Sequence, residues 1–193
     1  MSRRHRALAT LLALGLGGCF GGHRREFPPD FPRREVRQGG ACPELSGRWE
    51  TRAIEDPYVW EQADLLRLLQ PGVPGHDGQG DQGPRADYAE LAQPAADLLV
   101  IRRGLNGQAP GEPTTLRRGV DFECEGGALR VARSSGWGNA NVCVAKDWAS
   151  VALWRDAGGG LVARQGTSGL CVGLFADVFL WSADWARFRP VQP

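Results

Sequence analysis

Residues 120–133 read VDFECEGGALRVAR, and this stretch carries the pattern that decides the fold. Val120–Glu123 is extended in character, and apolar residues alternate with polar ones along Ala128–Arg133. Between them, Glu125-Gly126-Gly127 has the composition of a tight turn. Strict alternation is typical of a strand with one buried face, and such runs separated by glycines predict antiparallel neighbours. The stretch therefore predicts a pair of adjacent strands.

The same pattern continues on both sides of this pair. Further strands are predicted at Arg48–Ala53, Tyr88–Gln93, Leu98–Arg103, Thr114–Arg118, Val142–Ala145, Ala149–Arg155, Leu161–Arg164 and Trp185–Arg189. The apolar run Leu170–Trp181 predicts one or two buried strands, and Ser134–Asn141 is expected to be a Gly-rich loop. Strand after strand with short turns predicts a mainly β fold, a meander of about eight or nine short antiparallel strands that forms a barrel or a sandwich.

One amphipathic helix is predicted before the meander. Asp56-Pro57 has the composition of a helix start, with Asp as the N-cap and Pro at the first helical position, and Gln70-Pro71-Gly72 ends the pattern. The apolar residues between them fall at helical spacing and are Val59, Trp60, Ala63, Leu65, Leu66, Leu68 and Leu69. We expect this helix to pack its leucine face on a sheet.

The amino end has the pattern of an export signal. Met1–Arg6 carries three arginines and no acid, and Ala7–Leu16 is almost purely apolar. A basic stretch, a short apolar stretch and small residues at a cleavage site are typical of a secretory signal. The apolar run is about half the length that a bilayer-spanning helix needs. We therefore assign residues 1–18 to a signal peptide.

The end of that signal, Leu16-Gly17-Gly18-Cys19, resembles the lipobox of bacterial lipoproteins. The resemblance implies that the Cys19 thiol receives a diacylglyceryl group, that the chain is cut before Cys19, and that the new amine is acylated. The acyl chains, such as palmitate, would anchor the protein in a membrane of the cell envelope. Phe20 follows the cysteine, which by resemblance favours the outer membrane, facing the periplasm. The alternative is an ordinary cleaved signal with a chance cysteine.

Composition divides the rest of the chain. Residues 19–41 are rich in Pro, Arg and Gly without apolar periodicity, which predicts a tether after the lipidated Cys19. Extended, such a tether would hold a domain up to roughly 60 Å from the bilayer. Residues 42–193 are predicted to form a single β-rich domain.

The chain has five cysteines, which are Cys19, Cys42, Cys124, Cys143 and Cys171. Assigning the first to lipid leaves four, enough for two disulfides in an oxidising periplasm. Four cysteines allow three pairings. We favour Cys124–Cys143 with Cys42–Cys171, because the second bridge would tie the start of the domain to its end. The alternative, a metal site, lacks a Cys-x-x-Cys pair and a histidine at ligand spacing, so no metal or cofactor is expected.

Charge and motifs bear on activity. The chain has 23 basic and 22 acidic side chains, and without the three signal arginines 20 basic residues remain. No basic field is present, so no nucleic-acid partner is expected. The sequence contains neither a G-x-S-x-G nor an H-E-x-x-H motif. Asp121, Glu123 and Glu125 are candidate paired carboxylates, but their alternation is typical of a solvated strand face. We expect a non-enzymatic protein.

Two broader resemblances concern the domain. Gly47-Arg48-Trp49 near the first strand resembles the Gly-x-Trp of lipocalins, which implies a barrel that carries an apolar ligand. The layout of lipobox, Pro-rich tether, Cys-Pro-x-Leu-Ser-Gly, short helix and Cys-containing meander is similar to small proteobacterial envelope lipoproteins, and that resemblance implies no activity.

Three classes of function follow. The first is a binding or structural module that contacts an envelope protein or cell-wall polymer through an aromatic patch, for which Trp137, Trp148 and Trp154 are candidates. The second is a lipocalin-like carrier of an apolar ligand. The third is an inhibitor or immunity lipoprotein directed against an envelope hydrolase, which would use the loop Pro71–Pro84.

Overall fold

The fold is mainly β, as the sequence predicts. The computed structural model describes residues 19–24, 26, 41–54, 63–70, 86–140, 143–173 and 177–192. These residues form ten strands and one short helix. The elements are β1 (Cys19–Arg24), β2 (Gly47–Glu50), α1 (Leu65–Leu69), β3 (Tyr88–Ala95), β4 (Leu98–Gly104), β5 (Thr114–Arg117), β6 (Phe122–Glu125), β7 (Ala128–Ala140), β8 (Cys143–Arg155), β9 (Leu161–Gly173) and β10 (Asp177–Phe188).

The strands form two sheets, ordered β1-β10-β9-β8-β7-β6 and β2-β3-β4-β5. Consecutive strands from β2 to β5 and from β6 to β10 pair antiparallel, which confirms the predicted meander. Across the described residues neither sheet closes on itself, so the chain adopts the sandwich and not a closed barrel. Isolated bridges join the sheets at two corners, Trp49 with Pro190 and Arg118 with Phe122.

The main apolar core lies between the two sheets. Its side chains come from alternate positions on the strands of both sheets and from the leucines of α1. Its largest fully buried side chains are Trp49, Phe188, Leu45, Leu65, Leu69, Leu91, Leu99, Leu116, Leu129, Leu153, Leu161 and Val131. Each buried leucine contributes roughly 1.5–3 kcal/mol, so this cluster is the main source of stability.

The helix begins later than the sequence predicts. Asp64 is the N-cap of α1, and its side chain accepts a hydrogen bond from the Arg67 amide at 3.0 Å. Just before it, Ala63 pairs with Ala53, whose amide donates to the Ala63 carbonyl at 3.0 Å. A single helix from Pro57 to Leu69 is therefore wrong, because this pairing holds the chain extended immediately before Leu65. The predicted leucine face is confirmed, and residues 55–62 lie outside the described residues.

The last four strands are longer than predicted. The expected loop Ser134–Asn141 is wrong, because β7 continues to Ala140, and β8 is one strand where two were predicted. Glycine and alanine weaken the sequence signal of a strand, yet β8 supplies main-chain partners to β7 as far as Ala140, and β8 is itself paired with β9 on its other side. The run Leu170–Trp181 divides into the end of β9 and the start of β10, and it is not uniformly buried.

The first residues of the predicted tether form a strand. β1 pairs in parallel with β10, with Cys19 opposite Val178 and Arg24 opposite Ala183. Parallel pairing at a sheet edge uses main-chain groups alone, so it needs no apolar alternation in the sequence. Among the described residues, regular structure therefore starts with β1 at Cys19.

The disulfide pairing also differs from the favoured one. Cys42 is bonded to Cys124 of β6, with 5.0 Å between their Cα atoms and 82 residues between them in sequence. The bond fastens the chain just before β2 to the edge of the opposite sheet, so Cys42–Cys171 and Cys124–Cys143 are wrong. Sequence spacing could not choose between the pairings, because the proximity of Cys42 and Cys124 results from the stacking of the sheets.

Cys171 is disulfide-bonded as well. Its main chain on β9 faces Ala145 of β8, two residues from Cys143, whereas Cys19 lies two strands away across β10. The diagonal between Cys171 and Cys143 corresponds to about 7–8 Å between Cα atoms, which is shorter than the two strand spacings, about 9.6 Å, that separate Cys171 from Cys19. We therefore expect Cys143 to be its partner.

Non-reducing peptide mapping of the exported protein should give linked peptides for Cys42–Cys124 and Cys143–Cys171. Replacing Cys42 and Cys124 together by serine should lower the free energy of unfolding by about 4 kcal/mol, because the bond closes a long loop in the unfolded chain. Chemical denaturation of both proteins measures the difference. A Cys42–Cys171 peptide, or an unchanged unfolding midpoint, would contradict this assignment.

Candidate interaction surface

The strands β7 to β10 extend beyond the sandwich core. Core-facing side chains of β7 and β8 are fully buried at Val131 and Val151. Past that level, every described residue of β9 from Arg164 to Cys171 is only half-buried. The extension consists of residues 135–140, 143–149, 167–173 and 177–182 with β1 at its edge, and we call it the distal sheet. In this part of the molecule both faces of one sheet carry partly exposed side chains.

The face turned away from the core is aromatic. Trp148 and Trp154 lie on the same face of β8, since an even number of residues separates them. Trp154 is 6% exposed and meets the ring of Trp185 edge-on, at 5.8 Å between centroids. It belongs to a small outer cluster with Ala128 and Val162. Trp154 is therefore a packing residue.

The candidate tryptophans have different surroundings. Trp148 is half-buried in the distal sheet, and Trp137 lies on β7 opposite Lys146, with its side chain outside the described part. Trp148 and Trp181 lie in the same row of the sheet, because Trp148 of β8 and Trp181 of β10 both pair with Ser168 of β9. Trp181 was not among the predicted candidates, since its run reads as buried. The structure thus supplies a second surface tryptophan beside Trp148.

Two exposed valines lie further along the same strands, four residues from the row that holds these two rings. Val144 and Val172 face each other across β8 and β9, 47% and 44% exposed, and Trp181 is 40% exposed. All lie on the same face as Trp148, because their spacings along the strands are even. We call Val144, Trp148, Val172 and Trp181 the distal patch. Grouped exposed apolar side chains mark an interaction surface more often than scattered ones do.

A cation lies on this patch. The ammonium nitrogen of Lys146 is 5.3 Å from the centre of the Trp148 ring. A cation over an indole face is stabilised by about 0.5–1 kcal/mol at an exposed site. The lysine therefore adds one positive charge to the patch while its stem covers part of the aromatic ring.

Cys19 lies beside the patch. Cys19 pairs with Val178 of β10, and the preceding residue of β10, Asp177, pairs with Val172 of β9. Cys19 is therefore displaced by one residue along the strands, or one row of the sheet, from the Val144–Val172 pair. Three residues further along β1, Gly22 pairs with Trp181, and a Cβ atom at Gly22 would overlap the Trp181 ring. The ring thus lies over the glycine, and the close approach of β1 to the aromatic face requires a residue without a side chain.

The candidate carboxylates have structural partners. Asp121 accepts a hydrogen bond from a main-chain amide in the turn between β5 and β6. Glu123 and Glu125 are exposed on β6 and form ion pairs with Arg118 at 3.8 Å and with Arg130 at 3.2 Å. The predicted solvated strand face is confirmed. Asp121 stabilises the turn between β5 and β6, and the two glutamates form ion pairs at the surface.

The Gly47-Arg48-Trp49 motif lies at one end of the core. Trp49 is 1% exposed, and its indole nitrogen donates to the Leu45 carbonyl at 3.0 Å. The guanidinium of Arg155 lies 5.1 Å from the ring centre and donates to the Ser46 carbonyl at 2.7 Å. The motif therefore closes the core at the corner where the two sheets meet.

Other candidates lie outside the described residues. They are the lipobox residues Leu16, Gly17 and Gly18, the side chains of Cys19 and Cys143, and the loop Pro71–Pro84 with His76. Among the residues that are described, His, Cys, Asp and Glu do not gather in threes as a metal ion would need. No helix in that same part has the length and apolar character to cross a membrane.

Comparison with protein-family models, curated proteins and solved structures finds no match for this chain. Its candidate surface must therefore be interpreted from its own residues.

Replacing Gly22 by valine tests whether β1 lies against the aromatic face. The new side chain would collide with the Trp181 ring, so β1 should separate from β10 and the amides of residues 19–24 should exchange hydrogen faster. Hydrogen–deuterium exchange measures this. Combining the change with Trp181→Ala removes the obstacle and should restore slow exchange. Unchanged exchange in the single variant would mean that the strand and ring do not meet.

Proposed function

We propose that this protein is a lipid-anchored component of the bacterial cell envelope, held in the outer membrane and facing the periplasm, whose β domain is a non-enzymatic binding or structural module. The single observation that carries the proposal is the position of Cys19. The lipobox resemblance assigns the acyl chains to this residue, and the sheet register puts it at the end of the distal sheet that carries Val144 and Val172. The anchor and the exposed apolar surface are thus at the same end of the molecule.

The cysteines support an exported location. Cys42, Cys124 and Cys171 are disulfide-bonded, which suits an oxidising compartment such as the periplasm. Assigning Cys19 to lipid accounts for the odd number of cysteines, because an even number, four, then remains for disulfides.

The interior supports a surface function over the carrier function. A lipocalin-like carrier needs an open apolar cavity between its strands. Between these sheets the space is occupied by large side chains, among them Trp49, Phe188 and the leucines of α1. Among the described residues, three of the four exposed large apolar side chains, Val144, Val172 and Trp181, lie at the distal patch. We therefore place the interaction surface there.

The experiment that tests the proposal is lipid analysis of the full chain expressed in a Gram-negative host. Wild-type protein should fractionate with the outer membrane, and the mass of its first peptide should equal a chain that starts at Cys19 and carries diacylglyceryl and N-acyl groups. Cys19→Ser should lose these groups and detergent-phase partitioning, because the acyl acceptor is a thiol.

Phe20→Ser is the matched control, since it changes the neighbouring residue and leaves the thiol in place. It should still be acylated. A mature wild-type chain without acyl mass would overturn the lipoprotein proposal.

A further inference from the structure

The distance between lipid and domain is set by β1. Residues 20–24 are paired with β10, so they cannot act as a spacer between Cys19 and the sheet. The Pro-rich residues that follow, 25–40, connect β1 to the chain before β2. The expected separation of roughly 60 Å applies only to a free tether. An acyl chain on Cys19 therefore enters the bilayer directly beside the distal sheet.

The patch lies within reach of that bilayer. Cys19 is one row from the Val144–Val172 pair and three rows from the row of Trp148 and Trp181, so the largest separation along the strands is about 10 Å. Three strand spacings separate β1 from β8, which is about 14 Å. Both lengths are smaller than the thickness of a bilayer. Any membrane that holds the anchor is thus close to all members of the patch.

Charges are sparse where the patch lies. Residues 135–150 and 166–183, together with β1, contain four charged side chains, Arg24, Lys146, Asp147 and Asp177. Surface ion pairs such as Arg48–Glu90 and Arg130–Glu125 belong to the core-bearing part of the sheets. Few charges must therefore be desolvated if the distal end enters the headgroup region.

The side chains of the patch suit that region. Tryptophan is enriched at membrane–water interfaces, because its ring is apolar and its N–H is polar. Valine side chains gain from burial among acyl groups, and the Lys146 ammonium is attracted to anionic phosphates. Aromatic, aliphatic and basic side chains on one face form the combination that binds a lipid surface.

We propose that the distal patch rests in the headgroup region of the same bilayer that holds the acyl chains of Cys19, so that the domain is seated on the membrane by the ends of β7 to β10. This inference rests on the proposed lipidation. The competing occupants are a second copy of the chain and another envelope protein, and the position of the anchor favours lipid over both.

The test uses the mature lipidated protein in vesicles of phosphatidylethanolamine and phosphatidylglycerol whose acyl chains carry bromine, at less than one copy per vesicle. Bromine quenches tryptophan fluorescence only at close range. Wild-type fluorescence should be quenched, and Trp148→Phe with Trp181→Phe should lose about half or more of the quenching, because these rings lie at the interface. No quenching of an acylated wild-type protein would overturn the inference.

A second pair of variants keeps every tryptophan. Val144→Asp with Val172→Asp adds two carboxylates to the patch and should reduce quenching, since a charge resists transfer into the acyl region. Val120→Asp is the matched control, because Val120 is 80% exposed in the turn between β5 and β6, and its quenching should equal that of wild type. Equal quenching in the patch variant and the control would overturn the inference.

Each outcome separates the two proposals. An unacylated Cys19 overturns the proposed function, whatever the fluorescence. Acylated protein that is quenched only when many copies share a vesicle overturns the lipid contact and assigns the patch to a second copy. Acylated, unquenched protein that is crosslinked through the patch to another envelope protein assigns the patch to that protein and overturns seating on the bilayer.

Discussion

The fold depends on the pairing between its first core strand and the chain that follows its last strand. The Glu50 amide donates to the Arg189 carbonyl at 2.9 Å, and the Val191 amide donates to the Arg48 carbonyl at 2.8 Å. This corner brings the two sheets together and places Trp49 inside the core. Each hydrogen bond contributes only about 1 kcal/mol, but the burial that the corner makes possible is much larger.

The last strand is also held by a buried charge. The Asp156 carboxylate, at the turn between β8 and β9, accepts hydrogen bonds from the Gly160 amide at 2.9 Å and from the Arg187 side chain at 2.6 Å. It therefore links a hairpin turn to β10. This link and the corner at Trp49 define one compact part of the molecule, while the distal sheet continues from it through main-chain pairing.

This division explains why one sheet serves two purposes. The six-stranded sheet buries leucine and valine side chains where it faces the four-stranded sheet, and this burial stabilises the fold. Beyond that level the same strands carry exposed apolar and aromatic side chains, including Val172 and Trp181. Backbone hydrogen bonding and the disulfide of Cys171 support the strands there, where the described side chains of β9 are only partly buried or exposed. The extension is then free to present a surface whose composition suits lipid.

Local patterns in the amino-acid sequence are enough to identify the strands from β2 to β10, most of the turns and the leucine face of α1. These features follow from the alternation of apolar residues and from turn composition, which act over a few neighbouring positions. The lipobox is likewise a local motif, and its lipid remains a prediction. The strand at Cys19, the length of β7, the late start of α1 and the Cys42–Cys124 bond could not be derived in this way. Each depends on residues far apart in the chain that come together only when the sheets pair and stack, because main-chain hydrogen bonds and disulfides are set by distance in space.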